Sequence, residues 1–235
     1  MSGPLTGIKI LDLTNVISGP FATMILADQG ADVIKVELPG VGDFVRSTGN
    51  KQGGMSATFL NNNRNKRSIT VDLKDQRGKD VLLKLVKSCD AMVQNFRPGV
   101  VERIGISYDD VKEVKPDIVY LSISGFGEKG PYSQKPTYDP IVQALSGLTT
   151  VQAGSDQERP RLIRTIVPDK VTALTASQAM TAGLLSKFRT GEGQHIRLSM
   201  LDSVIAFMWS SDMGGQTYVG KQISAQRAAS FIDLI

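Results

Sequence analysis

Short Ile- and Val-rich runs alternate with helix-like segments along almost the whole chain, and this alternation limits the fold more than any other feature. Residues 8–13 ("IKILDL"), 31–38 ("ADVIKVEL"), 68–73 ("SITVDL"), 91–96 ("AMVQNF"), 117–124 ("DIVYLSIS") and 194–200 ("QHIRLSM") read as strands. Each is short, rich in β-branched residues and bounded by Gly, Pro, Asn or Asp. Helical patterns fall between them, at residues 20–29, 76–89, 108–114, 138–147 and about 170–190. In the second of these, Val81, Leu82, Leu85 and Val86 mark one face. Strand–helix alternation predicts an α/β fold: a Rossmann-like, mostly parallel sheet with helices on both faces. Ligands of such sheets bind beyond the carboxyl ends of the strands. Residues 39–67 hold six glycines or prolines and the polar run "NNNRNKR", and read as loop, as do residues 125–136.

Several chemistries are excluded by what the chain lacks. A single cysteine, Cys89, forbids an internal disulfide or a thiolate metal cluster, and suits a reducing, cytoplasmic compartment. The first residues carry no basic segment followed by an apolar one, and no apolar run is long enough to span a bilayer, so no membrane partner is expected. With 27 Lys+Arg against 23 Asp+Glu, the mild positive charge admits an anionic ligand. The basic run 61–67 has no interleaved aromatics, so no nucleic-acid partner is expected. "GFGEKG" (residues 125–130) spells the dinucleotide pattern, but prolines at 131, 136 and 140 prevent a helix from opening at the glycines. The one histidine, His195, lies mid-strand without a G-x-S-x-G elbow or a second histidine, which favours a structural role and no metal site.

Two features are more pointed. "NFRPGVVERIG" follows a strand, so Arg97 and Arg103 lie at the ligand edge of the sheet, and guanidinium forks there are good phosphate ligands. In "RTIVPDKVTALTASQAM", residues 165–167 read as a short apolar strand leading to Pro168 and Asp169, with a long helix following. On local sequence an Asp in that place is an N-cap first, and a chemical group second.

Long ordered motifs decide between these readings. "PLTGIKILDLTNVISGPFATMILADQGADVIKVELPGVGDFVR", "NNRNKRSITVDLK", "DAMVQNFRPGVVERIG", "PDIVYLSISGFGEKGPY", "YDPIVQALSGL" and "RTGEGQHIRLSMLDSV" together resemble the family III CoA-transferases, also called the CaiB/BaiF family, over about residues 4–208. The resemblance implies that the chain is the large domain of an interlocked homodimer. Residues 1–200 would form the Rossmann-like catalytic domain, and 201–235 a helical linker toward a second domain that is mostly absent. It also implies transfer of coenzyme A from an acyl-CoA donor to a small carboxylic acid through a covalent aspartyl intermediate. Coenzyme A is then a substrate, and no cofactor is tightly bound.

The family's nucleophile falls on Asp169, a group ionised at pH 7 if it stays near its ordinary pKa of about 3.9. By the same resemblance Val16, Ile17 and Ser18 border the thioester end, and Tyr138 and Asp139 sit by the acyl group. Val71, Asp72, Leu73 and Lys74 edge the adenine pocket, and Asn95, Phe96, Arg97 and Arg103 line the nucleotide and its phosphates. Ile17 stands where formyl-CoA transferases carry glutamine, and Leu38 where some members carry arginine. Two alternatives accompany this reading. A 2-methylacyl-CoA racemase of the same family needs a histidine where this chain has Tyr138, and a tyrosine near pKa 10 is a poor base at neutral pH. A non-catalytic CoA-binding fragment is the other.

Overall fold

All six expected strands enter one sheet. In chain order the elements are β1 (Lys9–Asp12), α1 (Ser18–Asp28), β2 (Asp32–Glu37), a 3-10 turn (Phe44–Ser47), β3 (Lys51–Gln52), β4 (Met55–Ser56), α2 (Ala57–Asn63), β5 (Lys66–Thr70) and α3 (Gln76–Val86). There follow β6 (Ala91–Gln94), α4 (Val100–Ile104), α5 (Tyr108–Val114), β7 (Val119–Ser124), α6 (Asp139–Leu145), α7 (Leu148–Val151), α8 (Val167–Thr190), β8 (Gln194–Ser199) and α9 (Met200–Trp209). This computed structural model describes residues 2–155 and 157–217. The sheet order is β5-β2-β1-β6-β7-β8, and every neighbouring pair is parallel.

The period-2 alternation of each strand builds a core on either face. Ile10, Val33, Val93, Val119 and Leu121 point to one side, where they pack on Ala22 and Leu26 of α1 and on Ala173, Ala176, Met180 and Leu184 of α8. Leu11, Met92 and Tyr120 point to the other, against Leu82 and Val86 of α3, Val101 of α4 and Val111 of α5. α1 is apolar nearly all round and buried accordingly, between the sheet, α8 and α2. Gly19 lets its first turn come down on Thr14, where a Cβ would lie 2.3 Å from the Thr14 Cβ.

Three sequence expectations need correction. Residues 39–67 are not one loop: the 3-10 turn, the β3–β4 hairpin, α2 and the start of β5 lie there. Ser56 caps α2 through a 3.2 Å bond from the Phe59 N–H, and the apolar residues Val45 and Phe59 pack on Ile17, which fixes the segment against the β1–α1 turn. Residues 165–167 form no strand. α8 begins at Val167, with Pro168 in the first turn where its missing N–H costs nothing. Asp169 is therefore inside the helix, and Ile166 occupies the cap position without any side-chain hydrogen bond. Of the expected linker 201–235, α9 covers the first part, capped by Ser199 and packed through Val204 and Met208 on Val142 and Leu148; residues 218–235 lie outside the described ones.

Candidate active site

The β1–α1 turn is tightly held at the carboxyl edge of the sheet. Val16 has φ 72°, an unfavourable conformation for a β-branched residue. Strain of this kind persists only where its surroundings over-determine it, and here they do. The Val16 N–H donates to Asp43 Oδ1 at 3.1 Å. Asn95 clamps the preceding residue twice: its Oδ1 accepts from the Asn15 N–H at 2.9 Å and its Nδ2 donates to the Asn15 carbonyl at 2.8 Å. Beneath lies a buried set of charges. Lys35 contacts Asp43 at 3.0 Å and donates to the Thr14 carbonyl at 2.7 Å. Lys66 bonds Asp12 at 2.9 Å, and Asp12 also accepts from the Thr14 and Thr23 hydroxyls. Arg46 grips Glu37 through two bonds of 2.8 and 2.7 Å. Burial would raise the pKa of Asp12, but the Lys66 and Lys35 charges and those hydroxyls outweigh it and hold the group at about 2. Glu37 is held at about 2 in the same way, by Arg46, Ser68 and the Asp43 N–H against burial.

This framework delivers Ser18, the first residue of α1, to Asp169 in the first turn of α8. Asp169 does not stay near its ordinary pKa, as the sequence leads one to expect. Burial raises it to about 6, the charge of Asp139 adds to the rise, and the hydroxyl and backbone N–H of Ser18 partly offset both. The group remains mostly ionised at pH 7 and is poorly solvated, a combination that favours nucleophilic attack. Ser18 turns its hydroxyl and backbone N–H on Asp169, donors of the kind an oxyanion requires.

Two cavities lie at the carboxyl edge of the sheet. The larger, about 730 Å³, runs along the carboxyl ends of β2, β5 and β6. Val71, Asp72, Leu73, Lys74, Phe96 and Arg103 all line it, together with Asn15 and Leu38. Val41, Phe44 and Lys79 also line it and escape sequence reasoning: the first two because they sit in a supposed loop, Lys79 because it is one of several polar residues on α3. Gly78 lets α3 approach this rim, since a Cβ there would stand 1.9 Å from the Asp72 carbonyl oxygen. The smaller cavity, about 560 Å³, lies by β6, β7 and β8 and takes Arg97, Ser122 and His195. Arg97 and Arg103 are thus separated, with Phe96 as the wall shared by both spaces.

The remaining candidates divide as follows. Asn95 acts on the turn, through Asn15. Ile17 is buried against Val45 and Phe59, so its side chain faces the core. Tyr138 is exposed at the start of α6, whereas Asp139 is only 4% exposed and faces α8. Asp169 lines neither cavity, but Asn15 lines the larger and Ser18 stands at Asp169. Those residues are three apart, so their Cα atoms are separated by no more than about 11 Å. His195 Nε2 is 2.8 Å from the Ser122 hydroxyl, its ring stacks on Tyr108, and its Nδ1 is buried without a hydrogen-bond partner. Burial, with Arg197 adding, lowers its pKa to about 4 and leaves it neutral. Among the described residues no group of three His, Cys, Asp or Glu side chains is placed to hold a metal ion, and no helix is long and apolar enough to cross a membrane.

Comparison with known proteins identifies the family. Residues 5–232 match CoA-transferase family III. A succinyl-CoA:glutarate CoA-transferase of Homo sapiens is 45% identical over 206 residues, covering 86% of this chain and 46% of that protein. An acetyl-CoA:oxalate CoA-transferase of Acetobacter aceti is 40% identical over 206 residues, 88% of this chain and 53% of that protein. The crystal structure of a CAIB/BAIF family protein from Brucella suis superposes with a TM-score of 0.86 at 33% identity, over 95% of this chain and 60% of that one. The chain spans about half the length of the curated relatives it matches. With a family match across nearly its whole length and relatives at this identity, the chain belongs to CoA-transferase family III.

Proposed function

We propose that this chain carries the covalent half-reaction of a CoA-transferase, with Asp169 as nucleophile and coenzyme A lying in the larger cleft. One observation carries the reading: a partly buried carboxylate with a raised pKa stands between two helix starts, at the end of a strained turn whose other end lines a basic cleft. Apolar Val71, Leu73 and Phe96 suit an adenine ring, and Lys74, Lys79 and Arg103 suit phosphates. Lys79 supplies a cation on the side where Leu38 offers none.

In the first step an Asp169 oxygen bonds to the thioester carbonyl carbon. The oxyanion collapses, the C–S bond breaks and CoA thiolate departs, leaving a mixed anhydride. The thiolate then attacks the aspartyl carbonyl, releasing the donor's carboxylate and forming an aspartyl-CoA thioester. An incoming carboxylate takes CoA by the same two steps reversed, and Asp169 is regenerated. Each step exchanges one acyl bond for another, so no net proton or electron is needed.

A small carboxylic acid as acceptor and an interlocked homodimer belong to this reading. So does a cytoplasmic setting, supported by the buried free thiol of Cys89. The test is mass spectrometry after incubation with succinyl-CoA, acetyl-CoA and oxalyl-CoA. An acyl or CoA adduct on the peptide holding Asp169, cleaved by hydroxylamine and absent in Asp169→Asn, is expected. An adduct on another residue, or none with any thioester, refutes the reading. A racemase is disfavoured because the chain's histidine lies in the other cavity and Tyr138 occupies the place of the base.

A further inference from the structure

We propose that Asp139 is the positioning residue of the Asp169 site: its carboxylate takes over the cap of α8, so that the Asp169 carboxylate is not drawn back onto its own helix and faces Ser18 instead. This rests on the nucleophile reading above. A helix start carries unsatisfied N–H groups, and an acid in the first turn is drawn to them. The cap position here, Ile166, has no side-chain acceptor. The acceptor comes instead from thirty residues earlier. Asp139 Oδ2 accepts from the Asp169 N–H at 3.2 Å, and Oδ1 accepts from Gln143 Nε2 at 2.6 Å. Gln143, itself buried, accepts from the Ile163 N–H at 2.9 Å through its Oε1. The bond therefore falls on the backbone of the very residue whose side chain reacts, and Gln143 ties the segment entering α8 to the same helix, α6. Asp139 is too buried to meet a substrate, so it acts through Asp169.

The surroundings leave Asp139 as the charged neighbour that matters. α1 presents the neutral Ser18 to Asp169. Lys170, next in α8, is bonded to the Thr165 hydroxyl. His195 and Arg197 of β8 and Asp202 of α9 line the second cavity. β7 carries Tyr120, bonded to the Ile106 carbonyl on the opposite face of the sheet. Among the described residues Asp139 is the only charged group coupled to Asp169.

Two variants separate positioning from mere support. Asp139→Asn keeps an acceptor oxygen and removes the charge; Asp139→Ala removes both. The Asp169 carboxyl is followed by carbon-13 NMR against pH, with its signal assigned by its loss in Asp169→Asn. The rate of adduct formation is measured against succinyl-CoA concentration. In Asp139→Asn the Asp169 midpoint is expected to fall below about 6, while most of the adduct rate is kept. In Asp139→Ala, Asp169 turns back to cap its own helix. Its midpoint drops further, and the rate at saturating thioester falls tenfold or more with half-saturation within twofold. An unchanged Asp169 midpoint in both variants overturns the proposal, as does an Asp139→Ala protein that melts earlier but reacts at the wild-type saturated rate. Should the wild type form no adduct, the transferase reading fails, and the titration alone still decides whether Asp139 governs Asp169.

Discussion

At the scale of the residue, Asp169 and Asn95 show how function and stability separate. Asp169 is held in an unfavourable state: burial and a neighbouring carboxylate oppose its charge. Removing such a group should not weaken the fold. Asp169→Asn is expected to abolish the adduct while leaving the stability unchanged or raised, by up to about 1–2 kcal/mol once partial solvent screening is allowed for. Calorimetry checks this, and a loss of about 1 kcal/mol or more would instead mark Asp169 as a structural cap. Since only the anion attacks, the saturated adduct rate should climb through about pH 6 and level off above pH 7. Asn95 behaves oppositely. Both of its amide atoms bond the Asn15 backbone, and without them nothing on that side holds Val16 at φ 72°. Asn95→Ala should cost about 1–3 kcal/mol and also slow adduct formation, measured side by side by denaturant unfolding and mass spectrometry.

At the scale of the element, the loops after β5 and β6 set the cleft, and they give the two arginines different tasks. Arg103 projects from α4 into the larger cleft, whereas Arg97 precedes that helix and lines the second cavity. Arg103→Ala should therefore weaken coenzyme A binding by about 1.5–3 kcal/mol, and Arg97→Ala by much less. Calorimetric titration with CoA checks the pair, and equal losses would mean that both arginines reach the same ligand. The strand positions were legible in the sequence because a strand buried on both faces is written as a continuous apolar run, as "KILD" and "AMVQ" are. The start of α8 was not. Thr165, Ile166 and Val167 have the β-branched look of a strand, and the side chain that bonds the first turn of the helix, Asp139, is far away in sequence. Residues 39–67 were misread for a similar reason. Their turn-rich composition is local, while what orders them is long-range: Phe59 and Val45 packing on Ile17, and Arg46 bridging to Glu37. Family motifs pointed to Asp169 and to residues that line the larger cavity, but no motif distinguishes a side chain that lines a space from one, like Asn95 or Ile17, that holds the lining in place.

At the scale of the whole molecule, the sheet is anchored at its carboxyl edge by carboxylates that must stay ionised. Asp12 ends β1, Glu37 ends β2, and each meets its cation across a neighbouring segment: Lys66 from β5 and Arg46 from the 3-10 turn. Both acids are held at about 2, below the ordinary values of 3.8 and 4.5. A depressed acid binds its proton more weakly in the folded state than in the unfolded one. Its contribution is complete above the unfolded pKa and is lost as pH falls through the folded one. The contribution of these two acids should accordingly be flat from pH 7 to about 5 and decline steeply between about 4.5 and 2, by roughly 2–3 kcal/mol for each. Asp169 has the opposite sign: its raised pKa favours the protonated folded state, so its contribution grows as pH falls through 6 toward about 4, while His195, held at about 4, takes stability away over the same range because the unfolded histidine protonates first. Denaturant titrations at pH 7, 5.5, 4 and 3 read both effects. Glu37→Gln should keep the fold at pH 7 at a cost in stability and flatten the acid limb, because the group that would be protonated is gone. Asp169→Asn should remove that gain, so that stability relative to the wild type falls as pH drops from 7 to 4, and leave the decline below pH 4 as it was. An acid limb unaffected by Glu37→Gln would assign it to surface carboxylates, and the buried charges beneath the β1–α1 turn would then not be what holds the active edge of the sheet together.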